Sequence, residues 1–572
     1  MNKIGTGVTL LFFLSTEVTS ASQDSLRIRD SVINALDFAL IQYSHAIQTT
    51  TDSTKFPRTN NTDGTVKTVS ASDWTSGFFP GVLWLLYEYS GDREWRKNAR
   101  RWTASLSSQQ YHSGDHDIGF IINSSFGNGW RLTRNPLYKP VIVQAGYTFR
   151  RRYNDTVQCT KSWDWFKPYP VIMDNLMNLE LFWKAFAFTG DTIFNYIPRK
   201  HALRTAGCHI RPDSSTYHVV DFDRLTGLVT WKGTRQGYSD SSCWSRGQAW
   251  GIYGYIMMYE YSGDSVFLEI SKQLAGYYLS HLPANGIPYY DFDAPLIPDE
   301  PLDASSAAIT ASALIKLYKA TRDTFFLRHA ENMLANLASP LYTAPEDSNA
   351  KFIIMHTTGG KDYNVDKPVN YADYYYIEAL LNYLYLDTGW YPANHPPELL
   401  SPAPDTVIAG MDYQFRLQTF DFDGDSIICS AVNLPQGLNM HPDGTISGIA
   451  DSSGLYPAEV VLSDGITADT FQISVFVEQL TANFPSATDA CRLAAKVIVD
   501  DRVCIYAAVN STIEAIEVFT VTGTKVLNRN LYHDKYCFTP AFQGLFFIKT
   551  VLVSGNCRTC LIYRLLYLYH SF

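Results

Sequence analysis

Four near-copies of one short unit set the architecture of the first two thirds of the chain. Tyr87-Glu-Tyr-Ser-Gly-Asp92, Phe186-Ala-Phe-Thr-Gly-Asp191 and Tyr259-Glu-Tyr-Ser-Gly-Asp264 are joined by a degenerate Tyr318-Lys-Ala-Thr-Arg-Asp323. In each, an aromatic-rich apolar run ends, a glycine or its substitute reverses the chain, and an aspartate opens the next run as an N-cap or first-turn acid. Between the units apolar residues recur at spacings of three and four, the period of an amphipathic helix. The pattern predicts helices at 26–48, 78–90, 93–109, 116–128, 138–151, 171–189, 191–208, 246–262, 264–281, 304–320, 323–339 and 371–388. Hairpins of this kind close into an (α/α)6 barrel over 24–390, with an inner ring of helices buried and one end open to a ligand; an open helical solenoid is the structural alternative.

The grammar changes after Pro396. Tyr413-Gln-Phe-Arg-Leu, Thr445-Ile-Ser-Gly, Ala458-Glu-Val-Val-Leu and Phe471-Gln-Ile-Ser-Val-Phe-Val alternate with period two and are spaced by Pro-Asp-Gly and Ser-Asp-Gly turns. Alternation of this length predicts a small all-β sandwich over 396–478, and its Thr419-Phe-Asp-Phe-Asp-Gly-Asp-Ser426 and Leu434-Pro-Gln-Gly-Leu438 segments resemble the Ig-like and cadherin-like modules appended to secreted bacterial enzymes. Asp421, Asp423 and Asp425 alternate as calcium ligands do, but no bidentate Glu follows at the EF-hand distance, so a solvated turn is the expectation. Residues 485–572 form a β-rich C-terminal domain, in which Ile516-Glu-Val-Phe-Thr-Val-Thr-Gly-Thr-Lys-Val526 and Gln543-Gly-Leu-Phe-Phe-Ile-Lys-Thr550 are loosely similar to the sorting domain of type IX secretion cargo. The terminal run from Leu561 departs from that pattern.

At the other end, Lys3, the apolar stretch Val8 to Leu14 and the small residues Val18, Ser20 and Ala21 read as a signal peptide over 1–21. No other uncharged apolar run approaches the length of a membrane span. The expectation is an exported bacterial protein, periplasmic, at the cell surface or extracellular, with export machinery as a partner through the C-terminal domain. Nine cysteines include a cluster of Cys491, Cys504, Cys537, Cys557 and Cys560, where a disulfide or two would fit an exported chain. With Lys+Arg 46 against Asp+Glu 56 the chain lacks the basic excess of a nucleic-acid binder. Its 12 Trp, 37 Tyr and 32 Phe suit either core packing or the apolar faces of sugar rings.

Two acids in the helical region stand out. Asp174, in Val171-Ile-Met-Asp-Asn-Leu-Met-Asn178, is expected to project from a buried helical face with Asn178 beside it, and burial raises a carboxyl pKa toward that of a useful proton donor. Asp117, in Gly114-Asp-His-Asp-Ile-Gly-Phe120, is expected to start a helix, whose dipole would hold it ionised. Two carboxyls biased in opposite directions form an acid/base arrangement for glycosidic chemistry, although each alone is equally a buried polar residue or a cap. Trp74, Trp163, His218, Gln236, Arg246 and Trp250 lie in the polar and aromatic segments around these acids. No His or Cys cluster with metal-ligand spacing accompanies them, and neither a metal nor an organic cofactor is expected.

Asp73-Trp-Thr-Ser-Gly-Phe-Phe-Pro-Gly81, His116-Asp-Ile-Gly-Phe120, Met173-Asp-Asn-Leu-Met-Asn178, Ser241-Ser-Cys-Trp-Ser-Arg-Gly-Gln-Ala-Trp-Gly251 and Tyr371-Ala-Asp-Tyr-Tyr-Tyr-Ile-Glu378 together resemble the unsaturated glucuronyl hydrolases of glycoside hydrolase family 88. The resemblance spans 24–390 and implies an (α/α)6 barrel that removes a Δ4,5-unsaturated uronic acid from the nonreducing end of lyase-generated oligosaccharides. It assigns Asp174 as acid/base, Asp117 as the second carboxylate and His218 as an orienting group. Trp74, His116, Trp163, Gln236, Arg246 and Trp250 would line the uronate subsite. Arg235 stands where some relatives have His and could bind sulfate bidentately, with Lys361 as a second anion ligand on the opposite wall, His356 to Pro368. An anionic substrate on an acidic protein predicts a local basic pocket built from Arg235, Arg246 and Lys361. The competing readings are an unsaturated rhamnogalacturonyl hydrolase and a noncatalytic glycan-binding protein.

Overall fold

A computed structural model describes residues 8–479 apart from 402, 403 and 405, with side chains from residue 28, and beyond them the backbone of strands between 503 and 567. The leader reading at 1–21 and the C-terminal cysteines lie outside the residues whose side chains are described. Helices α1 (Val8–Thr49), α2 (Phe78–Ser90), α3 (Arg93–Ser105), α4 (Ile118–Ile122), α5 (Asn128–Thr133), α6 (Tyr138–Arg150) and α7 (Asn175–Asn178) make the first half. α8 (Glu180–Thr189), α9 (Ile193–His209), α10 (Ser245–Ser262), α11 (Ser265–Ser280), α12 (Ala304–Thr321), α13 (Thr324–Leu337) and α14 (Asn370–Leu384) follow. α14 packs on α2, α2 on the α4–α5 stretch, α4 on α7, α7 on α10, α10 on α12 and α12 on α14, so the inner ring closes. α1, α3, α6, α9, α11 and α13 lie outside it. This is the expected barrel, and the solenoid alternative falls.

The repeated unit turns the chain as its composition predicts. Gly91, Gly190 and Gly263 are left-handed at φ 65°, 68° and 68°, and Arg322 adopts φ 60° in the degenerate copy. Asp92, Asp264 and Asp323 then accept the backbone N–H of Glu94, Val266 and Phe325, capping α3, α11 and α13. Gly91 is constrained twice, because a Cβ there would also meet the Asn394 carbonyl oxygen at 2.2 Å.

Three predicted elements differ. α1 begins well before residue 26. The helix predicted at 116–128 continues to Thr133 through a π-turn at Asn123–Gly127. The helix predicted at 171–189 is a short strand, Pro170–Ile172, followed by α7 and α8. Its apolar run is buried on every side, so sequence period alone does not separate strand from helix there.

After the barrel, Asp412–Arg416, Thr445–Ile449 and Leu438–Met440 form one antiparallel sheet. Ile428–Val432, Gly454–Ser463, Ala468–Glu478 and Val407–Ile408 form a second, and Val407, Leu417, Ile446, Val460, Leu462, Val475 and Val477 fill the core between them. The module is fastened to α3 by buried charge: Arg96 pairs with Glu398 at 2.9 Å and with Asp469, and Arg100 reaches Glu398 at 2.5 Å. As a separate unit, the backbone from 503 onward forms a four-stranded antiparallel sheet of Lys525–His533, Thr512–Thr520, Gly544–Ser554 and Cys557–Tyr567 and a two-stranded pair, Val503–Tyr506 with Lys535–Phe538. Among the described residues no helix is long and apolar enough to cross a membrane, and Cys159, Cys208, Cys243 and Cys429 are buried free thiols.

Candidate active site

A small sheet that the sequence pattern did not reveal brings the first pair together. Pro170–Ile172 pairs antiparallel with Val219–Phe222, and that strand pairs with Val229–Gly233. The Met173 N–H donates to the His218 carbonyl at 3.1 Å, so the register sets Asp174 and His218 side by side across 44 residues of chain. The turn after Gly233 folds over the imidazole: the backbone N–H groups of Arg235 and Gln236 donate to His218 Nδ1 at 3.2 and 3.4 Å. In the neutral ring the hydrogen therefore sits on Nε2, which faces Asp174 Oδ2 at 3.8 Å. Burial pushes the Asp174 carboxyl up to about 7, against the pull of its own backbone N–H, the Arg246 guanidinium and the Trp250 indole. Burial, then the Arg246 charge, holds His218 well below the ordinary imidazole range. Asp174 Oδ2 and Trp250 Nε1 are buried without a hydrogen-bond partner among the described residues. Asp174 thus stands at a strand-to-helix junction, ahead of α7, and not on the face of a continuous helix.

Asp117 has a matching histidine. His116 Nε2 lies 3.5 Å from Asp117 Oδ1. Asn178 orients this pair and ties it to the other one: its Oδ1 accepts the Phe120 N–H at 2.7 Å, which directs its Nδ2 to His116 Nδ1 at 3.2 Å and to the Asp174 carbonyl at 3.3 Å. Gly119 permits the approach, since a Cβ there would come within 2.5 Å of Asn178 Oδ1. Burial lowers the His116 pKa to about 3, so the ring is neutral at pH 7. Asp117 corrects the electrostatic expectation. It begins α4 without capping it through its side chain, and burial followed by the charges of Asp115, Asp174 and Asp73 raises its pKa well above the carboxylate range. The dipole at this helix start does not offset that desolvation and the neighbouring carboxylates. Both acids are therefore biased toward the neutral form.

Asn175 anchors one wall. Its side chain donates to Thr160 O at 2.9 Å and accepts the Ser162 hydroxyl at 2.6 Å. The segment it holds continues into Trp163, whose ring centre lies 6.4 Å from that of His116 and 6.1 Å from that of His218. Trp165, which the sequence reading passed over, stacks on Trp163 at 5.2 Å and 25° while 67% exposed, and the Arg235 guanidinium lies over the Trp165 ring, 5.8 Å from its centre. The alternation Trp163-Asp-Trp165 was the available signal. Trp74 joins the opposite side through Phe120 at 5.6 Å, Tyr371 at 5.1 Å and, beyond Phe120, Trp250. The 356–368 segment packs as a further wall on the turn that carries Gln236: its side chain donates to Gly359 O at 2.9 Å and its carbonyl accepts the Lys361 N–H at 3.0 Å.

The expected three-residue basic pocket does not assemble. Arg246 is 2% exposed, pairs with the fully buried Asp303, and also donates to Thr358 O at 2.6 Å and to Gly359 O. Its charge is matched inside the protein, and its role is to hold the 356–368 wall against α10 and α12. Lys361 extends outward over Tyr238 at 5.8 Å. Arg235 remains as an exposed guanidinium beside the tryptophans.

A helical barrel whose mouth gathers two neutral-biased carboxyls, each with its own histidine, between tryptophan walls defines a carbohydrate-active hydrolase. No family model matches the chain. Over 323 residues it is 43% identical to an unsaturated glucuronyl hydrolase of Formosa agariphila, covering 55% of this chain and 81% of that protein. It is 30% identical to an unsaturated chondroitin disaccharide hydrolase of Streptococcus pyogenes, covering 62% of this chain and 92% of that one. The crystal structure of an unsaturated glucuronyl hydrolase specific for heparin superimposes with a TM-score of 0.61 at 39% identity, over 62% of this chain and 98% of that chain. The chain belongs to the unsaturated glucuronyl hydrolase family.

Proposed function

We infer that the protein removes a Δ4,5-unsaturated uronic acid from the nonreducing end of glycosaminoglycan fragments released by lyases, by hydrating the C4=C5 vinyl ether. One observation carries the assignment of the acid: Asp174 is buried, neutral-biased at about 7, and holds Oδ2 free of protein partners beside the Nε2–H of a neutral His218. Asp174 delivers its proton to C4. Water adds at C5 and returns a proton to the same carboxyl, so the residue ends as it began. The hemiketal then opens as the C5–ring-oxygen bond breaks, leaving a ketone at C5 and a hemiacetal at C1, which collapses to an aldehyde and releases the glycosidic oxygen, carrying the hemiacetal hydroxyl proton, with the shortened sugar. His218 orients Asp174, the Asp117–His116 pair presents a second neutral acid to the substrate, and Trp163 with Trp74 packs against the ring.

The test follows the ultraviolet absorbance of the conjugated C=C on unsaturated chondroitin, heparin and rhamnogalacturonan disaccharides. Loss of absorbance on the first two supports the reading, decay on rhamnogalacturonan alone transfers the enzyme to pectin fragments, and no decay on any leaves only glycan binding.

Arg235 supports a preference for sulfated substrates, because its exposed guanidinium sits at the rim beside Trp165 with no carboxylate partner among the described residues. Arg235→Ala is expected to lower kcat/KM for sulfated disaccharides about tenfold, the loss of roughly 1.5 kcal/mol for a charge-assisted bond, and to leave unsulfated ones nearly unchanged. Equal effects on both would remove the sulfate reading. The leader pattern at 1–21 and the resemblance of the module at 396–478 to Ig-like appendages support export. N-terminal sequencing of protein from the extracellular and periplasmic fractions, starting just after Ala21, is the corresponding measurement.

A further inference from the structure

The turn expected to be a solvated loop of the β-module is built differently. Asp421 is only 9% exposed. Its Oδ1 accepts the N–H groups of Asp423 at 2.9 Å and Asp425 at 3.1 Å, which closes the loop around the side chain. Its Oδ2 is buried with no hydrogen-bond partner among the described residues. Carboxylate oxygens of Asp421, Asp423 and Asp425 lie within 4.8 Å of one another. Among the described residues no lysine or arginine pairs with any of the three; the sole ion-pair partner is His395, on Asp423 at 3.1 Å. An unsatisfied buried carboxylate oxygen on a side chain grouped with two more carboxylates is costly unless something positive offsets it.

We propose that this loop is a calcium site, with Asp421, Asp423 and Asp425 as ligands at the first, third and fifth positions of the loop. The donors are hard oxygens, which favour calcium over softer ions. Both nitrogens of His395 are engaged, Nδ1 with Asp423 and Nε2 with the Tyr87 carbonyl at 3.1 Å, so imidazole ligation is closed off. Three carboxylates with main-chain oxygen favour calcium, since magnesium is usually held through one or two carboxylates and keeps several of its waters. The site also has a structural consequence. Asp423 accepts the His395 N–H at 2.6 Å, His395 packs edge-on to Tyr87 at 4.9 Å and against Phe422 at 4.8 Å, and Tyr87 ends α2 of the barrel. A cation that fixes Asp423 therefore rivets the module to the barrel.

The experiment uses the full chain stripped with a chelator and titrated with CaCl2 by calorimetry, with thermal unfolding in calcium or magnesium at equal ionic strength. The expected result is one site with a Kd of about 10⁻⁴–10⁻³ M, the range of extracellular modules, and a higher Tm in calcium but not in magnesium. Asp421→Asn keeps the Oδ1 contacts to the loop and is expected to weaken calcium binding at least about tenfold without lowering the calcium-free Tm. Asp425→Ser, at an exposed position, repeats the test should Asp421→Asn fail to fold. Absence of calcium-dependent heat and of any calcium-specific rise in Tm, or unchanged affinity in the variant that folds, overturns the proposal.

Discussion

Asp174→Asn is expected to reduce kcat by about 10²–10⁴-fold, the contribution of a positioned acid/base group, while raising the melting temperature above neutral pH. Asparagine fills the same volume but neither donates a proton to carbon nor takes one from water. The stability half of the result follows from linkage. Burial raises the Asp174 pKa in the folded barrel to about 7 from an ordinary 3.8. The folded state therefore holds a proton that the unfolded chain releases. The stability contributed by that protonated acid is fully present below about pH 4 and is lost as pH rises through 7. At about 1.4 kcal/mol per pKa unit the loss is on the order of a few kcal/mol. Asparagine mimics the protonated acid at every pH, so the variant and wild type should melt alike at pH 4 and diverge by pH 8, with the variant the more stable. The same ionisation predicts that wild-type kcat falls as pH rises through about 7. Activity retained in the variant, or a variant less stable than wild type at pH 8, would refute the assignment.

Asp303→Ala is expected to be the most destabilising single change near the site, at about 3–5 kcal/mol, because it strands a buried guanidinium. Arg246 and Asp303 are 2% and 0% exposed and are bonded to each other. Asp303 also caps α12 through Ser305 N at 3.2 Å and accepts the Ser305 hydroxyl at 2.5 Å, so its loss removes the helix cap as well. Arg246→Met strands the partner carboxylate and should cost a similar amount. The double variant, Arg246→Met with Asp303→Leu, leaves no orphan charge and is expected to lose markedly less than the sum of the singles, a coupling measured by denaturant unfolding of all four proteins. Additive losses would show the pair to be independent. Since Arg246 also bonds Thr358 and Gly359, the double variant should retain its fold while KM rises, as the 356–368 wall loosens.

Much of the barrel was legible because its signals are local. A helix end needs a left-handed residue and the next helix needs a cap, and both requirements fall within the six residues of the repeated unit. The candidate acids were legible for a related reason: a carboxylate inside an apolar run is conspicuous whatever the backbone does around it. The charge states were not. Asp117 looked ionised beside a helix start, but Asp73 and Asp174 converge on it from separate segments, Asp115 adds its charge from two residues before, and burial outweighs the helix dipole. Arg246 looked like a free anion ligand until Asp303, 57 residues away, proved to take its charge.

The sequence by itself determined the helical hairpins and the change to strands after residue 396, and singled out Asp174 and Asp117 as candidate acids, because periodicity, caps and conspicuous polar residues act over a few positions. Only the tertiary structure decided which groups meet. The register of Pro170–Ile172 against Val219–Phe222 sets His218 beside Asp174, Asn178 joins the two acid–histidine pairs, and the packing of the β-module buries Asp421 within its turn. Proximity across tens of residues, and the desolvation that follows from it, depends on how elements pack and is not written in any one segment.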